Sequence, residues 1–274
     1  MLPFAAQFAR FVEWMLPEKE EEAIVDVTRR EWATIHLDRD LIEVPAIALE
    51  QTRNEIRRLA GLVSGIVADI VPAFPANDVH KGDEILHRQE EVDYIAEEID
   101  NYLIDITHRP LNQAQAQLGT QLMNIATDLE HISDLVRRDL VTLLRRKVDE
   151  GINFSDEGNA QLLSYHQKVL DNFADVTRAF EENDPQQARA VIGAREALTD
   201  MDHAYQMTHF GQVTHLRADR REVNHLFLDL ADYLQRVNSY AESIAYTMLE
   251  GYLDTRDGAR KKGGPVPLDD TEAT

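Results

Sequence analysis

Cysteine is missing from this 274-residue chain altogether. That excludes a disulfide framework, a thiolate zinc site and a cysteine nucleophile, whichever compartment the protein works in. Basic residues are scarce: 28 Lys and Arg stand against 50 Asp and Glu, a formal charge of −22. A surface of that sign repels a phosphate backbone, so neither DNA nor RNA is expected as a partner. No apolar run reaches the roughly 20 residues that a membrane-spanning helix needs. A Gly-rich phosphate loop and a Gly-x-Ser-x-Gly elbow are both absent, so kinase and hydrolase chemistry have no foothold. What is present is an acidic polypeptide with 43% hydrophobic residues, enough to core one large domain or two small ones. Its acidity favours solubility and suits cations or a basic protein surface, but names no ligand.

Residues 1–17 carry Leu2, Phe4, Phe8, Phe11, Val12, Trp14, Met15 and Leu16, with only Arg10 and Glu13 charged. The pattern is amphipathic, too short and interrupted to span a bilayer, and it lacks the basic start and small-residue cleavage site of a secretory signal. Two readings stay open: the aromatics lie at a lipid headgroup layer, or they pack on the rest of the protein. After the acidic run Glu18 to Glu22, the segment to Val44 shows no clear helical period and reads as a connector with little regular structure.

From Pro45 onward the chain reads as all-α. Apolar residues from Ile47 through Ile56, Leu59, Val63, Ile66 and Ile70 recur at three- and four-residue spacing, the stripe of a core-facing helix. Pro72 and Pro75 stop it. Asn77 or Asp78 caps a second helix to about His108, and a third runs from about Asn112 to Asp149 before Gly151. Ser155 opens a fourth to about Glu182, Asp184 with Pro185 a fifth, and Ala218 to about Leu253 is the sixth. Ala73-Phe74-Pro75-Ala76-Asn77-Asp78 reads again as Ala179-Phe180-Glu181-Glu182-Asn183-Asp184, 106 residues on. Leu122, Ile125, Ala126, Leu129 and Ile132 correspond to Phe227, Leu230, Ala231, Leu234 and Val237 at an offset of 105. An internal duplication is the simplest explanation. The expected architecture is two tandem three-helix bundles: residues 1–44 as N-terminal segment and connector, 45–151 as repeat one, 152–254 as repeat two, and 255–274 as a flexible tail.

Glu130 and Asp134 stand four residues apart on one helical face, so their oxygens can converge. Hard oxygen donors on a rigid helix suit a divalent or trivalent metal if neighbouring helices complete the set. The plainer alternative is a solvated acidic face neutralised by Arg137 and Arg138. Acid-to-histidine pairs three apart occur at Glu84/His87, Asp105/His108, Asp128/His131, Asp200/His203 and Glu222/His225. They carry a rival reading, a ferritin-like metal-binding bundle or metal-dependent enzyme.

The segment Asn124 to Asp134 resembles the third-helix signature of PhoU proteins, an Asn-Asp-Leu-Glu-Arg-Ile-Gly-Asp type sequence. Ile35-His36-Leu37-Asp38 with Leu41 to Gln51 is similar to the entry into the PhoU-type portion of sodium/phosphate cotransporters. Phe227 to Arg236 and Ala241 to Ala245 resemble the second signature, and Leu2-Pro3-Phe4 looks like the stretch leaving such a transporter's membrane part. The resemblance spans roughly residues 35–252. It implies a non-enzymatic regulatory or accessory role in phosphate uptake at the cytoplasmic side of the plasma membrane. The implied partner is a phosphate-transporter membrane domain or another phosphate-regulation protein, with self-association left open. The chain would be a soluble fragment of such a transporter or its separately encoded counterpart. The resemblance also implies iron or zinc in repeat one, on Glu130, Asp134 and Asp93. The expected acid four residues before Asp93 is Gln89, with Glu90 as the candidate substitute. In the second repeat the motif acids are replaced by Gln235 and Ser239, so a full second cluster is not expected. His209 resembles a histidine late in the fifth helix of cotransporter-linked members, where it caps, packs or faces water.

Overall fold

The computed structural model describes residues 32–195, 198–201, 203 and 218–262, with side chains of the last stretch described for 222–250. The amphipathic segment 1–17 and His209 lie outside these residues. A 3₁₀ turn, Arg39–Glu43, is capped by Asp38, whose carboxylate accepts from the amide of Asp40 at 3.0 Å. The expected connector therefore holds one ordered turn. Helix α1 (Pro45–Ile70) begins on proline, whose fixed φ suits the first helical position. A four-residue turn, α2 (Ala73–Ala76), follows, then α3 (Val79–Thr107), α4 (Gln113–Leu135), a π turn (Val136–Leu140) and α5 (Val141–Asp149), which continues α4. Helices α6 (Asp156–Glu182), α7 (Pro185–Gly193) and α8 (Ala218–Lys262) complete the order, and the described residues include no strand.

Each start has a local cause. Asp78, Asn112, Ser155 and Asp184 each accept a backbone N–H of the first turn, and Asn112 with Gln115 forms a reciprocal capping box. The internal repeat appears in the backbone itself. Asn77 and Asn183, 106 residues apart, are the positive-φ non-glycine residues among those described, at φ 55° and 53°. In the same register the amide of Asp78 donates to the carbonyl of Ala73 at 3.0 Å, and that of Asp184 to Ala179 at 2.9 Å.

The apolar stripes meet in one core. Ile56, Leu59, Val63, Ile66, Val67 and Ile70 of α1 are all fully buried, with Ile85, Val92, Ile95 and Ile99 of α3 and Leu129 and Ile132 of α4. Each such side chain contributes about 1.5–3 kcal/mol by leaving water. In the second half Leu162, Val169, Phe173 and Val176 of α6 pack with Leu226, Leu230, Leu234 and Val237 of α8. The halves join along two antiparallel helix pairs. Between α1 and α6, the His166 ring nitrogen Nε2 lies 2.8 Å from the carbonyl of Val67, and Arg57 donates to the carbonyl of Glu181 at 2.7 Å. Between α4 and α8, Gln121 reaches the carbonyl of Thr247 and the His131 ring lies 5.4 Å from that of Tyr240.

Three expectations are corrected. The fifth helix breaks at Gly193 and turns at Ala194 before helical residues resume at Arg195, because glycine is the weakest helix former after proline. The sixth runs on to Lys262 rather than about Leu253, so the helix enters what reads as tail; no proline intervenes before Pro265. The third contains a π turn that its apolar period does not signal.

Candidate functional site

Helices α3 and α4 run antiparallel, and their register lines up acids along one seam. Asp83 meets Arg145 of α5 at 2.6 Å, Asp93 faces Asp134 and Arg137, and Asp100 faces Glu130. The structure thus brings three of the four expected residues, Asp93, Glu130 and Asp134, to one place. Glu90 is not among them. It is exposed and lies 3.6 Å from the Nδ1 of His87. One helical residue is about 100° of rotation, and it is Gln89, 2% exposed, that turns inward and donates its amide to the carboxylate of Asp93.

The electrostatics follow from burial. Desolvation raises the pKa of Asp93 above the usual carboxylate range; the Gln89 amide and the Arg137 guanidinium pull it back, while Asp134 pushes it further up. Glu130 is raised first by burial, then by the negative charges of Asp93, Asp100 and Asp134. Asp100, raised by burial alone, is a member that the sequence reading missed, and its Oδ1 is buried without a hydrogen-bond partner among the described residues. The signal was available: Asp100 follows Asp93 by seven residues, two helical turns along the same face.

Asp134 is held differently. Arg137 donates to its Oδ1 at 2.5 Å and the Arg138 guanidinium lies 2.9 Å from its Oδ2, so both oxygens are paired with a guanidinium. The π turn places these residues, and its Asp139 lies 3.5 Å from Arg236 of α8. π turns are frequent where function needs an extra residue inserted into a helix.

This donor set does not fit an iron or zinc site. A hard cation needs several free oxygen donors. Here both oxygens of Asp134 are engaged by arginine, the acid position before Asp93 is an amide, and Glu90 faces away. Among the described residues no three carboxylate or imidazole groups gather as a metal would require. The acid-to-histidine pairs are likewise dispersed: Asp128 bonds Ser243, His131 lies against Tyr240, and Glu84 pairs with Lys81 at 2.6 Å.

The second repeat differs at the same level. Ser239 donates to the carbonyl of Gln235 on its own exposed face. Below it a buried polar chain runs from Asn172 to Asn238 at 2.6 Å and from Asn238 to Glu242 at 2.7 Å. Arg195 reaches the other Glu242 oxygen at 3.6 Å. Sequence reading did not single out these four residues. The signal was a glutamate and two asparagines at core positions of apolar stripes.

Comparison with known proteins gives three findings. The PhoU domain family model matches residues 56–138 and again 162–248. The candidate inorganic phosphate export protein YjbB of Escherichia coli (strain K12) is 22% identical over 255 residues, which is 91% of this chain and 45% of that protein; its Salmonella typhimurium counterpart is 22% identical over 251. The chain spans about half the length of the curated relatives it matches. Among solved structures, PhoU from Pseudomonas aeruginosa superimposes with a TM-score of 0.70 at 17% identity, covering 75% of this chain and 97% of that one. The phosphate transport system regulatory protein PhoU from Streptococcus pneumoniae gives 0.67 at 16%, covering 77% and 97%. At these identities the structural likeness is one of fold.

Proposed function

The chain belongs to the PhoU family, and on that premise we propose that it is a regulatory or accessory module of membrane phosphate transport, acting through its helical surface rather than by catalysis. The observation that carries the reading is the doubled family match, one in each half of the chain, together with an alignment of nearly the whole chain to part of a phosphate-export relative. The finer assignment is a partner of the sodium/phosphate cotransporter type, met at the cytoplasmic face of the plasma membrane. It is supported by the Ile35 to Gln51 resemblance and by the absence, among the described residues, of any helix long and apolar enough to cross a membrane. The charge of −22 favours a basic contact surface on the partner.

The test is labelled-phosphate flux in cells in which the coding sequence for this chain is removed and then restored. Removal should change uptake, efflux or both, and the restored chain should return the flux to its starting value. Identical flux in both directions, in phosphate-rich and phosphate-poor medium, would overturn the assignment.

A further inference from the structure

Of the whole chain 28% is Asp, Glu, Lys or Arg, yet residues 110–127 contain none of these and no histidine, the longest such run in the sequence. The next longest, residues 59–68, lies in α1, where burial explains it: among those residues only Gly61 is exposed. Burial does not explain the longer run. Helix α4 packs on α1, α3 and α8, and its uncovered side carries Gln113, Ala116, Thr120 and Asn124, all exposed and spaced by three or four residues. Even the cap is neutral. Asn112 stands where α3 and α7 use Asp78 and Asp184, although a carboxylate there would gain from the helix dipole.

Helix α8 continues the neutral face. Gln121 donates to the carbonyl of Thr247 at 3.0 Å and the His131 ring lies 5.4 Å from that of Tyr240, so the two helices run side by side here. From Val237 to Leu249 the charged residue of α8 is Glu242, which is buried, and the exposed side chains are Ser239 and Tyr246, the latter 46% exposed. Asp128, in the seam, is taken up by the Ser243 hydroxyl. Charge returns at the edges of the face, with exposed His131 on α4 and Glu250 on α8.

We propose that this uncharged face of α4 and α8 is where two copies of the chain meet, as a reversible twofold dimer. The charge of the chain selects the occupant. Two molecules of −22 each repel one another, and contact through α3 or α6 would oppose exposed acids such as Glu84, Glu90, Glu157 and Asp171. A partner of other sequence is free to be basic and to use those acids; a second copy is not. A twofold contact must also complement itself. Carboxamides and hydroxyls do so, since each both donates and accepts, and an exposed tyrosine supplies the large side chain that interfaces favour. Fifteen helical residues on α4 and two helix widths give a face of about 22 by 20 Å, at the small end for protein contacts, which sets a weak affinity in the micromolar range. The inference goes beyond the transport reading and does not depend on it.

The test is sedimentation of the full chain from about 5 to about 500 µM, at about 50 and about 500 mM NaCl. The mean mass should rise from one chain toward two with concentration. Dimerisation should strengthen with salt, because screening removes repulsion and no complementary charges are lost. Thr120→Glu with Asn124→Glu should raise the Kd at least tenfold. Ala160→Glu with Ser164→Glu adds the same two charges at the same spacing to the exposed surface of α6 and should leave the Kd within about twofold once the added net charge is screened. Because the chain has no cysteine, crosslinking gives a second readout that does not need the glutamate variants to fold: a short bismaleimide should couple Asn124→Cys chains into dimers and leave Ser164→Cys chains monomeric. A chain that stays monomeric throughout, its neutral face bare or covered from elsewhere, overturns the proposal. So does a dimer that weakens with salt, that the α6 pair disrupts as much as the α4 pair, or that crosslinks through Ser164→Cys as readily as through Asn124→Cys. Altered phosphate flux on removal of the coding sequence bears on the transport reading alone, so the two stand or fall separately.

Discussion

Replacing Asn77 and Asn183 by glycine is the same backbone change at the same place in two repeats, yet the two variants should differ in stability. Both asparagines adopt the left-handed conformation at a helix end, φ 55° and 53°, and glycine takes that conformation without Cβ strain. The relief is offset by the greater freedom of glycine in the unfolded chain, so the backbone contribution lies within about 0.5 kcal/mol of zero at both sites. The side chains separate them. Asn183 is exposed, with no side-chain partner among the described residues. The Oδ1 of Asn77 accepts from the Nζ of Lys147, a lysine 1% exposed whose ammonium also lies 5.4 Å over the Phe154 ring. Losing a hydrogen bond to a buried charged group costs about 1.5–3 kcal/mol. Asn183→Gly should therefore leave the urea midpoint nearly unchanged, while Asn77→Gly lowers stability by about 2 kcal/mol. Lys147→Met, which removes the buried ammonium together with its need, should recover most of that loss in the Asn77→Gly background. Equal midpoints for the two glycine variants would refute the reasoning, because what distinguishes the sites is the side-chain bonding of Asn77, to buried Lys147 and, at 3.4 Å on the surface, to Asn153.

His166 sets a pH dependence. Burial holds its pKa below the ordinary value although the Val67 carbonyl opposes the shift, so below about pH 6.5 the unfolded chain takes up a proton before the folded one does. Stability then falls as the pH falls, by up to about 1.4 kcal/mol per unit, until the folded imidazole itself titrates. The raised carboxyls Asp93, Glu130 and Glu242 act in the opposite sense; they cancel in the difference between wild type and His166→Gln, which should shrink on going from pH 7 to pH 5 and is measured by urea titration at each pH. Gly61 lies inside α1 with open space around its would-be Cβ, so Gly61→Ala should stabilise by about 0.5–1 kcal/mol. Gly151 has φ +65°, so Gly151→Ala should cost about 1 kcal/mol; thermal melts of the two should move in opposite directions.

The helix starts were legible in the sequence because capping is local: Asp78, Asn112, Ser155 and Asp184 satisfy donors two or three residues away. The doubling was legible because it preserves apolar spacing at a constant offset. The candidate site was legible only in part. Glu130 and Asp134 share a helix, so their proximity is a matter of period, whereas the choice between Gln89 and Glu90 depends on how α3 is rotated against α4. Arg137 and Arg138 were legible as partners of Asp134 because they follow it by three and four residues; the π turn they sit in, an added residue that no propensity scale registers, was not. Asp100 and Glu242 are charged residues on otherwise buried stripes, and only the packed partner helix shows what each one faces.

These polar groups also say how the protein can act. Directional hydrogen bonds join its halves, from Arg57 to one backbone carbonyl and Gln121 to another, with His166 on a third, and Asp139 and Arg236 add an ion pair at 3.5 Å. Such bonds resist sliding of one helix pair over the other, above all that of His166, which is buried and loses its partner when displaced. A regulator built this way transmits little by internal rearrangement along these joints. On the proposed reading it presents an acid-coated face, and a partner would be discriminated by whether its own surface complements that charge. The proposed transporter contact should weaken steeply as ionic strength rises, because exposed charges more than about 8 Å apart are screened at physiological salt.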